Sequence, residues 1–246
     1  DPAWEKLETG GRLLRTFALD AEADVRAEAI RLGPRGSKFT LVIDESRREV
    51  RLPLLARFNI ENALAAAAVG AAGGLTIDEI AAGLDTVPQV SGRLETLMTE
   101  PFSVLIDFAH TPDALDGALS AVRPLTTGRL IVVFGAGGDR DVAKRRPMAQ
   151  AVARAADVIV LTSDNPRTED PERILDDLAE GLAEGAYERF ADRRAAIRFA
   201  LETAEAGDTV LLAGKGHERY QELGTEAVPF DERVVVRECL EELGVA

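Results

Sequence analysis

Apolar and polar positions follow two different rhythms along this chain, and the change falls near residue 92. Before it, apolar residues alternate or cluster over residues 12–19, 25–32, 38–44 and 49–54, with turn residues such as Gly33-Pro34-Arg35-Gly36 between them. Alternation of period two bounded by turns predicts a small antiparallel sheet. Two helices are predicted next. Residues 62–72 are Ala-rich and stop at Gly73-Gly74, a C-cap signal. Thr76-Ile77-Asp78-Glu79 has capping-box spacing and opens a helix to about residue 84. Residues 88–92 read as a linker.

Beyond residue 92 the pattern becomes β-α alternation. Apolar runs at 104–108, 130–134, 158–162 and 210–213 read as buried strands. Helical stretches lie between them, with Pro near the first turn at Thr111-Pro112, Arg146-Pro147 and Asp170-Pro171. Asp192 and Asp231 are N-cap candidates for two more helices. Strands alternating with helices predict a mostly parallel sheet covered on both faces. Ligands of such sheets sit beyond the carboxyl ends of the strands. Four polar clusters fall at those ends: Asp107-Phe108-Ala109-His110, Gly135-Ala136-Gly137-Gly138-Asp139-Arg140, Asp164-Asn165-Pro166-Arg167 and Gly214-Lys215-Gly216-His217-Glu218.

Composition narrows the class. Of 246 residues, 46% are hydrophobic and only 5% aromatic, enough for cores built mainly from Ala, Val, Leu and Ile. A formal charge of -14 argues against non-specific nucleic-acid binding and fits a protein that handles small molecules, or simply a solvated acidic surface. The single cysteine, Cys239, makes no intrachain disulfide and no zinc site, so a reducing, cytoplasmic setting is expected. No run approaches the ~18 apolar residues of a membrane span. The start, Asp1-Pro2-Ala3-Trp4, shows no signal-peptide pattern, and the chain is expected to begin inside a longer product.

Each cluster has a chemical reading and a plainer one. The Gly-rich segment from Gly135 looks like a dinucleotide fingerprint but carries Arg140 where the last glycine belongs. A cation there suits a carboxylate, although a Gly-rich turn with a surface Arg explains the same residues. Asp164-Asn165-Pro166-Arg167 offers a planar guanidinium for a carboxylate, with Asp164 and Asn165 to hold an ammonium or orient the Arg; an ordinary Asx-turn is the alternative. Gly214 and Gly216 let backbone approach a ligand, and Glu218 can accept from an ammonium. The chain contains no G-x-x-x-x-G-K-[ST] loop. Asp107 and His110 suggest contact with ribose, phosphate or metal, against a helix-capping role. Asn59 and Asn62, three apart at a predicted helix start, share one edge, where one caps and the other can read a base. Arg93, just past Gly92, can swing onto a phosphate or lie in solvent.

Taken in order, six segments resemble the Mur ligase family: Phe58-Asn59-Ile60-Glu61-Asn62; Gly92-Arg93-Leu94-Glu95; Asp107 through Asp113; Gly137-Gly138-Asp139-Arg140-Asp141 with Lys144-Arg145; Asp164-Asn165-Pro166-Arg167; and Gly214 through Glu218 with Tyr220-Gln221. The resemblance runs through nearly everything after about Leu52. It implies an α/β fold in which residues 92–246 form a C-terminal Rossmann-like amino-acid-binding domain with a mostly parallel sheet. Residues 1–91 would be the latter part of a central ATPase domain with a small antiparallel sheet. The family's phosphate-binding loop, magnesium-binding Glu, carbamylated Lys and UDP-binding domain would precede the chain, which alone is expected to be inactive.

The implied activity is ATP-dependent addition of meso-2,6-diaminopimelate to UDP-MurNAc-L-Ala-D-Glu through an acyl phosphate, in peptidoglycan synthesis. The Asp-Asn-Pro-Arg form is the one the family associates with diaminopimelate. ATP and Mg2+ are the implied cofactors, with the metal ligands mainly upstream and none assigned here. By the same resemblance Asn59 and Asn62 would lie by the adenine, Arg93 at the γ-phosphate, and Asp107 and His110 on the ribose and phosphate side. Arg93, Asp107 and His110 would serve catalysis, and Arg140, Asp164, Asn165, Arg167, Gly214 and Glu218 would bind the diamino acid. Phe108 stands where this branch commonly has Tyr, and Ala136 where some members have Cys. A monomer is expected, with no nucleic-acid partner. The alternatives are the same reaction with L-lysine or L-ornithine, the folate-polyglutamylating branch, or a non-catalytic α/β module that binds an amino acid or nucleotide.

Overall fold

The computed structural model describes residues 14–245. The chain divides into two compact units, one ending at Pro88 and one beginning at Gln89. In the first unit the strands β1 (Phe17–Ala18), β2 (Val25–Gly33), β3 (Gly36–Ile43) and β4 (Ser46–Leu52) form one sheet in sequence order. The pairs β2–β3 and β3–β4 are antiparallel, as the alternation predicts. The edge pair corrects that expectation, because β1 runs parallel to β2, with Phe17 opposite Val25. Between them the chain makes a bend held by Asp24, whose carboxylate accepts from the N–H and hydroxyl of Thr16, in place of a hairpin. Of the predicted first strand, residues 12 and 13 lie outside the described residues, as does the Asp1–Trp4 start.

Helix α1 (Arg57–Ala72) begins five residues before its expected start. Its buried positions, Asn59, Ile60, Ala63, Leu64, Ala67 and Ala68, recur at helical spacing and cover one face of the sheet with Phe39, Leu41 and Val50. Ala at three of these positions brings helix and sheet close. Helix α2 (Ile77–Asp85) carries the predicted capping box: Thr76 accepts from the Glu79 N–H at 3.3 Å, and Glu79 accepts from the Thr76 N–H at 2.8 Å.

The second unit is built on six strands in the order β5-β6-β10-β7-β8-β9. These are β5 (Glu95–Met98), β6 (Ser103–Asp107), β7 (Leu130–Phe134), β8 (Val158–Thr162), β9 (Glu188–Phe190) and β10 (Thr209–Ala213). Every pair is parallel except the edge pair β5–β6. Residues 130–134 and 209–213 are buried without interruption, which is what a strand covered on both faces requires. Helices α6 (Arg193–Thr203) and α7 (Glu232–Leu243) close over Val104, Ile106, Ile131, Val133, Val210 and Leu212. Alternate residues Leu105, Val132, Leu161 and Leu211 are buried too. Helices α3 (Pro112–Val122), α4 (Arg145–Ala153) and α5 (Pro171–Ala179), packed in series, supply the other layer.

Asp192 and Asp231 cap their helices as expected, and Thr111 and Asp170 cap the helices that open with Pro112 and Pro171. Pro147 does not open α4; a 3-10 turn over Val142–Lys144 precedes that helix and makes Pro147 its third residue. Strands β5 and β9 and the hairpin β11 (Tyr220–Leu223) and β12 (Glu226–Pro229) lie outside the predicted elements. They are short or exposed and carry no buried apolar run. After β6 the chain passes to β7, works outward to β9, then returns to insert β10 between β6 and β7. That reversal opens a crevice beyond the strand ends.

Candidate functional site

Strands β6, β10, β7 and β8 end side by side, and the loop after each contributes to one cleft of about 280 Å³. The loop after β6 supplies Phe108 and His110, that after β7 Gly137, Arg140 and Lys144, that after β8 Asp164, Asn165 and Arg167, and that after β10 Gly214 and Glu218. Seven of the residues singled out in the sequence therefore face one space.

The floor of the cleft is a buried polar knot. Lys215 is fully buried, and its Nζ donates to Asn165 Oδ1 at 2.9 Å and Glu218 Oε2 at 3.0 Å. Asn165 Nδ2 donates to the same Glu218 oxygen at 2.9 Å, while its Oδ1 also accepts from the Glu222 N–H at 3.0 Å. Asn165 is thus occupied as scaffold. It orients Glu218, whose Oε1 takes no hydrogen bond among the described residues. A buried lysine needs such partners, because an unpaired ammonium in a dry interior is strongly disfavoured.

Arg167 is oriented by neighbours other than the expected Asp164 and Asn165. Its backbone is left-handed, with φ 53°, and is pinned to the β11–β12 hairpin: its N–H donates to Glu222 O at 3.0 Å, and its carbonyl accepts from Gly224 N at 2.7 Å. Its Nη1 donates to Gly138 O at 2.8 Å and its Nε lies 2.7 Å from Glu222 Oε2. The contact with Glu222 is an ion pair without a hydrogen bond, because Glu222 Oε2 has no hydrogen-bond partner. Of the five N–H donors of the guanidinium only the one on Gly138 O is therefore taken, and the others remain for a ligand. Gly138 is held in turn by its N–H on Asn165 O, 2.9 Å, and a Cβ there would strike the Pro166 carbonyl oxygen. Asp164 Oδ2 is buried and has no hydrogen-bond partner. Gly214 (φ 118°) faces it so closely that a Cβ would sit 2.5 Å away, so the glycine keeps this oxygen open. Orphaned buried carboxylate oxygens are rare in native proteins and call for a donor. Burial pushes the Lys144 ammonium below the usual lysine range, with Asp164 and Asp141 opposing; its Nζ donates to His110 O at 3.0 Å.

The other predicted residues divide. Both Asp107 oxygens are taken by main chain: Oδ2 accepts from Leu94 N and Oδ1 from Ala109 N, each at 2.8 Å. Burial raises its pKa above the ordinary Asp value against those two bonds and nearby Arg93. The carboxyl therefore anchors the segment that carries Arg93. Asp107→Asn is expected to set an amide NH2 against one of these N–H groups and to destabilise the protein by about 1–2 kcal/mol; a thermal melt measures it. Arg93 is exposed, its guanidinium 5.1 Å above the Phe108 ring centre. Phe108 also meets the rings of His110 at 4.6 Å and His217 at 5.2 Å. His110 Nδ1 is bonded to Phe108 O at 2.8 Å, which leaves Nε2 for the cleft. Gly92 is fixed by Glu95, which accepts from its N–H at 2.7 Å and from Arg233 Nη2 at 2.7 Å. Burial pushes the Glu95 pKa up, but Arg233 and the Gly92 N–H outweigh it and hold it below the usual range. The stability this pairing adds is present above the unfolded glutamate pKa and lost as pH falls through the lowered one.

Asn59 and Asn62 belong to the first unit. Because α1 begins at Arg57, neither caps it: the N-cap is Ala56, at φ 72°, with no side-chain cap. Asn59 is buried and donates to Leu55 O at 2.7 Å, and exposed Asn62 donates to Asn59 Oδ1 at 3.3 Å. This corrects the N-cap expectation. Sequence reasoning gave no role to Lys144, Lys215 or Glu222. The first two lie within quoted motifs, whereas nothing at the sequence level marks Glu222.

The strand ends of this parallel sheet converge on carboxylates and guanidiniums that share one cleft, and the chain belongs to the Mur ligase family. The family model described as "Mur ligase, glutamate ligase domain" matches residues 92–216, and "Mur ligase middle domain" matches residues 4–70. Among its relatives, the UDP-N-acetylmuramoyl-L-alanyl-D-glutamate--2,6-diaminopimelate ligase of Bacillus velezensis is 44% identical over 229 residues, 93% of this chain and 47% of that protein. The protein of the same name from Streptomyces coelicolor is 47% identical over 227 residues, 89% of this chain and 45% of that protein. A solved structure of a ligase with this name superposes with TM-score 0.73 at 37% identity, over 94% of this chain and 48% of the other. The chain spans about half the length of the curated relatives it matches.

Proposed function

We propose that the protein carrying this chain joins meso-2,6-diaminopimelate to the D-Glu of UDP-MurNAc-L-Ala-D-Glu in an ATP-dependent step of peptidoglycan synthesis. The observation that carries this reading is the charge arrangement of the cleft. Arg167 and Arg140 offer guanidinium donors, while the orphaned Asp164 oxygen and Glu218 Oε1 offer acceptors. A molecule with an amino-acid head at each end satisfies both sets, its distal carboxylate on Arg167 and its ammonium on Glu218 and Asp164. The names of the relatives support the same substrate.

The chemistry divides in two. A γ-carboxylate oxygen of D-Glu attacks the terminal phosphorus of ATP and ADP departs. The amine of the diamino acid then attacks the acyl carbon, the C–O bond to phosphate breaks, and the ammonium's protons pass to solvent or an acceptor. This chain's part is to place the amine and balance charge. Arg93, free of ion pairs among the described residues, and His110 Nε2 are the groups for the phosphate side. Bound Mg2+ would neutralise phosphate charge. Among the described residues no three His, Cys, Asp or Glu side chains cluster to hold a metal, so no ligand is assigned here. No helix among them is long and apolar enough to cross a membrane.

Lysine lacks the distal carboxylate and would leave Arg167 unmatched, a penalty of about 3 kcal/mol, or roughly a hundredfold. Phosphate release by the complete protein, with diaminopimelate, lysine and ornithine offered separately, is expected to favour diaminopimelate by that factor in kcat/KM. Equal turnover with lysine would overturn the substrate assignment, and no phosphate release with any of the three would overturn the activity.

A further inference from the structure

Two of the cleft loops grow from strands that are not neighbours. β8 leads to Asp164 and Asn165, β10 leads to Gly214 and Lys215, and β7 lies between them. Beneath both loops sits an ion pair that the proposed chemistry does not use. Arg193 and Glu232 have fully buried side chains and lie 2.8 Å apart at Nη2 and Oε1, with Nε to Oε1 at 2.9 Å. The guanidinium also donates to Ser163 O at 3.1 Å through Nη1 and to Ala213 O at 3.0 Å through Nη2. Those carbonyls directly precede Asp164 and Gly214.

Helix stability does not account for this arrangement. Arg193 is the first residue of α6, where the helix dipole disfavours a cation. Glu232, first in α7, is favoured there, yet its Oε2 is buried without a partner. Taking both charges out of water is costly, and apolar residues of similar volume commonly give equal or greater stability. A planar fork supplies what apolar packing cannot, donors aimed at two particular carbonyls, one just past the end of β8 and one at the end of β10. Gly214 and Asp164 are so close that a small shift of either loop would cover the open Asp164 oxygen.

We propose that Arg193, held by Glu232, is a positioning residue that sets the spacing between the 163–167 and 213–218 loops and so tunes affinity for the amino acid. The inference rests on the proposed function for the identity of that ligand. The test uses the complete protein with Arg193→Met combined with Glu232→Leu, and separately Arg193→Lys, which keeps the charge but not the fork. Phosphate release gives KM for diaminopimelate and for ATP, and thermal melting reports folding.

The double variant is expected to melt within a few degrees of the parent, to raise the KM for diaminopimelate at least tenfold, and to leave that for ATP within twofold. Arg193→Lys is expected to fall between parent and double variant. A folded double variant with the parent's diaminopimelate KM overturns the proposal, as does an equal rise in both KM values. Loss of the folding transition in both variants would assign the pair to stability alone and also overturn it. Failure of the unaltered protein to use diaminopimelate would instead overturn the substrate reading.

Discussion

Arg167→Ala in the complete protein is expected to raise the KM for diaminopimelate by roughly two orders of magnitude while leaving that for ATP within a few-fold. Arg167 lines a cleft of about 280 Å³ whose other walls carry Asp164 and Glu218, and only one of its side-chain N–H donors, on Nη1, is hydrogen-bonded. A charge-assisted bond to a carboxylate contributes about 1.5–3 kcal/mol, and a forked pair lies at or above the upper end. Arg167 keeps 23% side-chain exposure, so solvent screening makes the upper end of one bond, about 3 kcal/mol, the fair figure. The fold should survive, because the backbone bonds of residue 167 to Glu222 and Gly224 do not need the side chain. Selectivity should fall with affinity: the variant loses most of its preference for diaminopimelate over lysine, since the parent's penalty on lysine comes from the same guanidinium. Steady-state kinetics with both amino acids measure this, and an unchanged preference would remove Arg167 from the site.

Lys215→Met is expected to be the most damaging single change at the cleft floor. The ammonium is fully buried and holds Asn165 Oδ1 and Glu218 Oε2 together. Met fills much of the volume but donates nothing, so Glu218 is left with Asn165 Nδ2 alone. Removing one partner of a buried pair costs about 3–5 kcal/mol, and Glu218 at 20% exposure places this case near the lower end. Through the usual scaling for a chain of this size, about 3 kcal/mol lowers Tm by roughly 6–12 °C. Glu218 should also leave its bound orientation, so affinity for the amino acid falls with stability. A melt within 2 °C of the parent would show that the knot is not a source of stability.

The two largest effects differ in how visible they are beforehand. Arg167 stands in a tetrapeptide whose chemistry is legible from residue types, a fork beside an Asp and an Asn on a Pro turn. Its orientation is not legible, because it comes from Gly138 and from Glu222, on a hairpin whose strands are four residues each and largely exposed. Lys215 is the opposite case. Between two glycines it reads as one more exposed cation, and only the packing reveals a core ammonium. Asn165 reads as a ligand and folds as a brace. Asp107 reads as a nucleotide contact, while both its oxygens hold main chain.

Sequence by itself determined the parts governed by local rules. Uninterrupted apolar runs defined the buried strands, Asp and Thr caps with Pro marked helix starts, and β-α alternation placed the charged clusters at one end of the sheet, because strands feeding crossover helices all point the same way. Tertiary structure alone decided the strand order, with β10 inserted between β6 and β7, and hence which loops meet. It also decided that β1 runs parallel and that α1 starts early. Likewise it set which of the charged groups are scaffold and which stay open to a ligand. Pairing across dozens of residues depends on burial and on the distance between side chains brought together by folding, and neither quantity is encoded in any short stretch of residues.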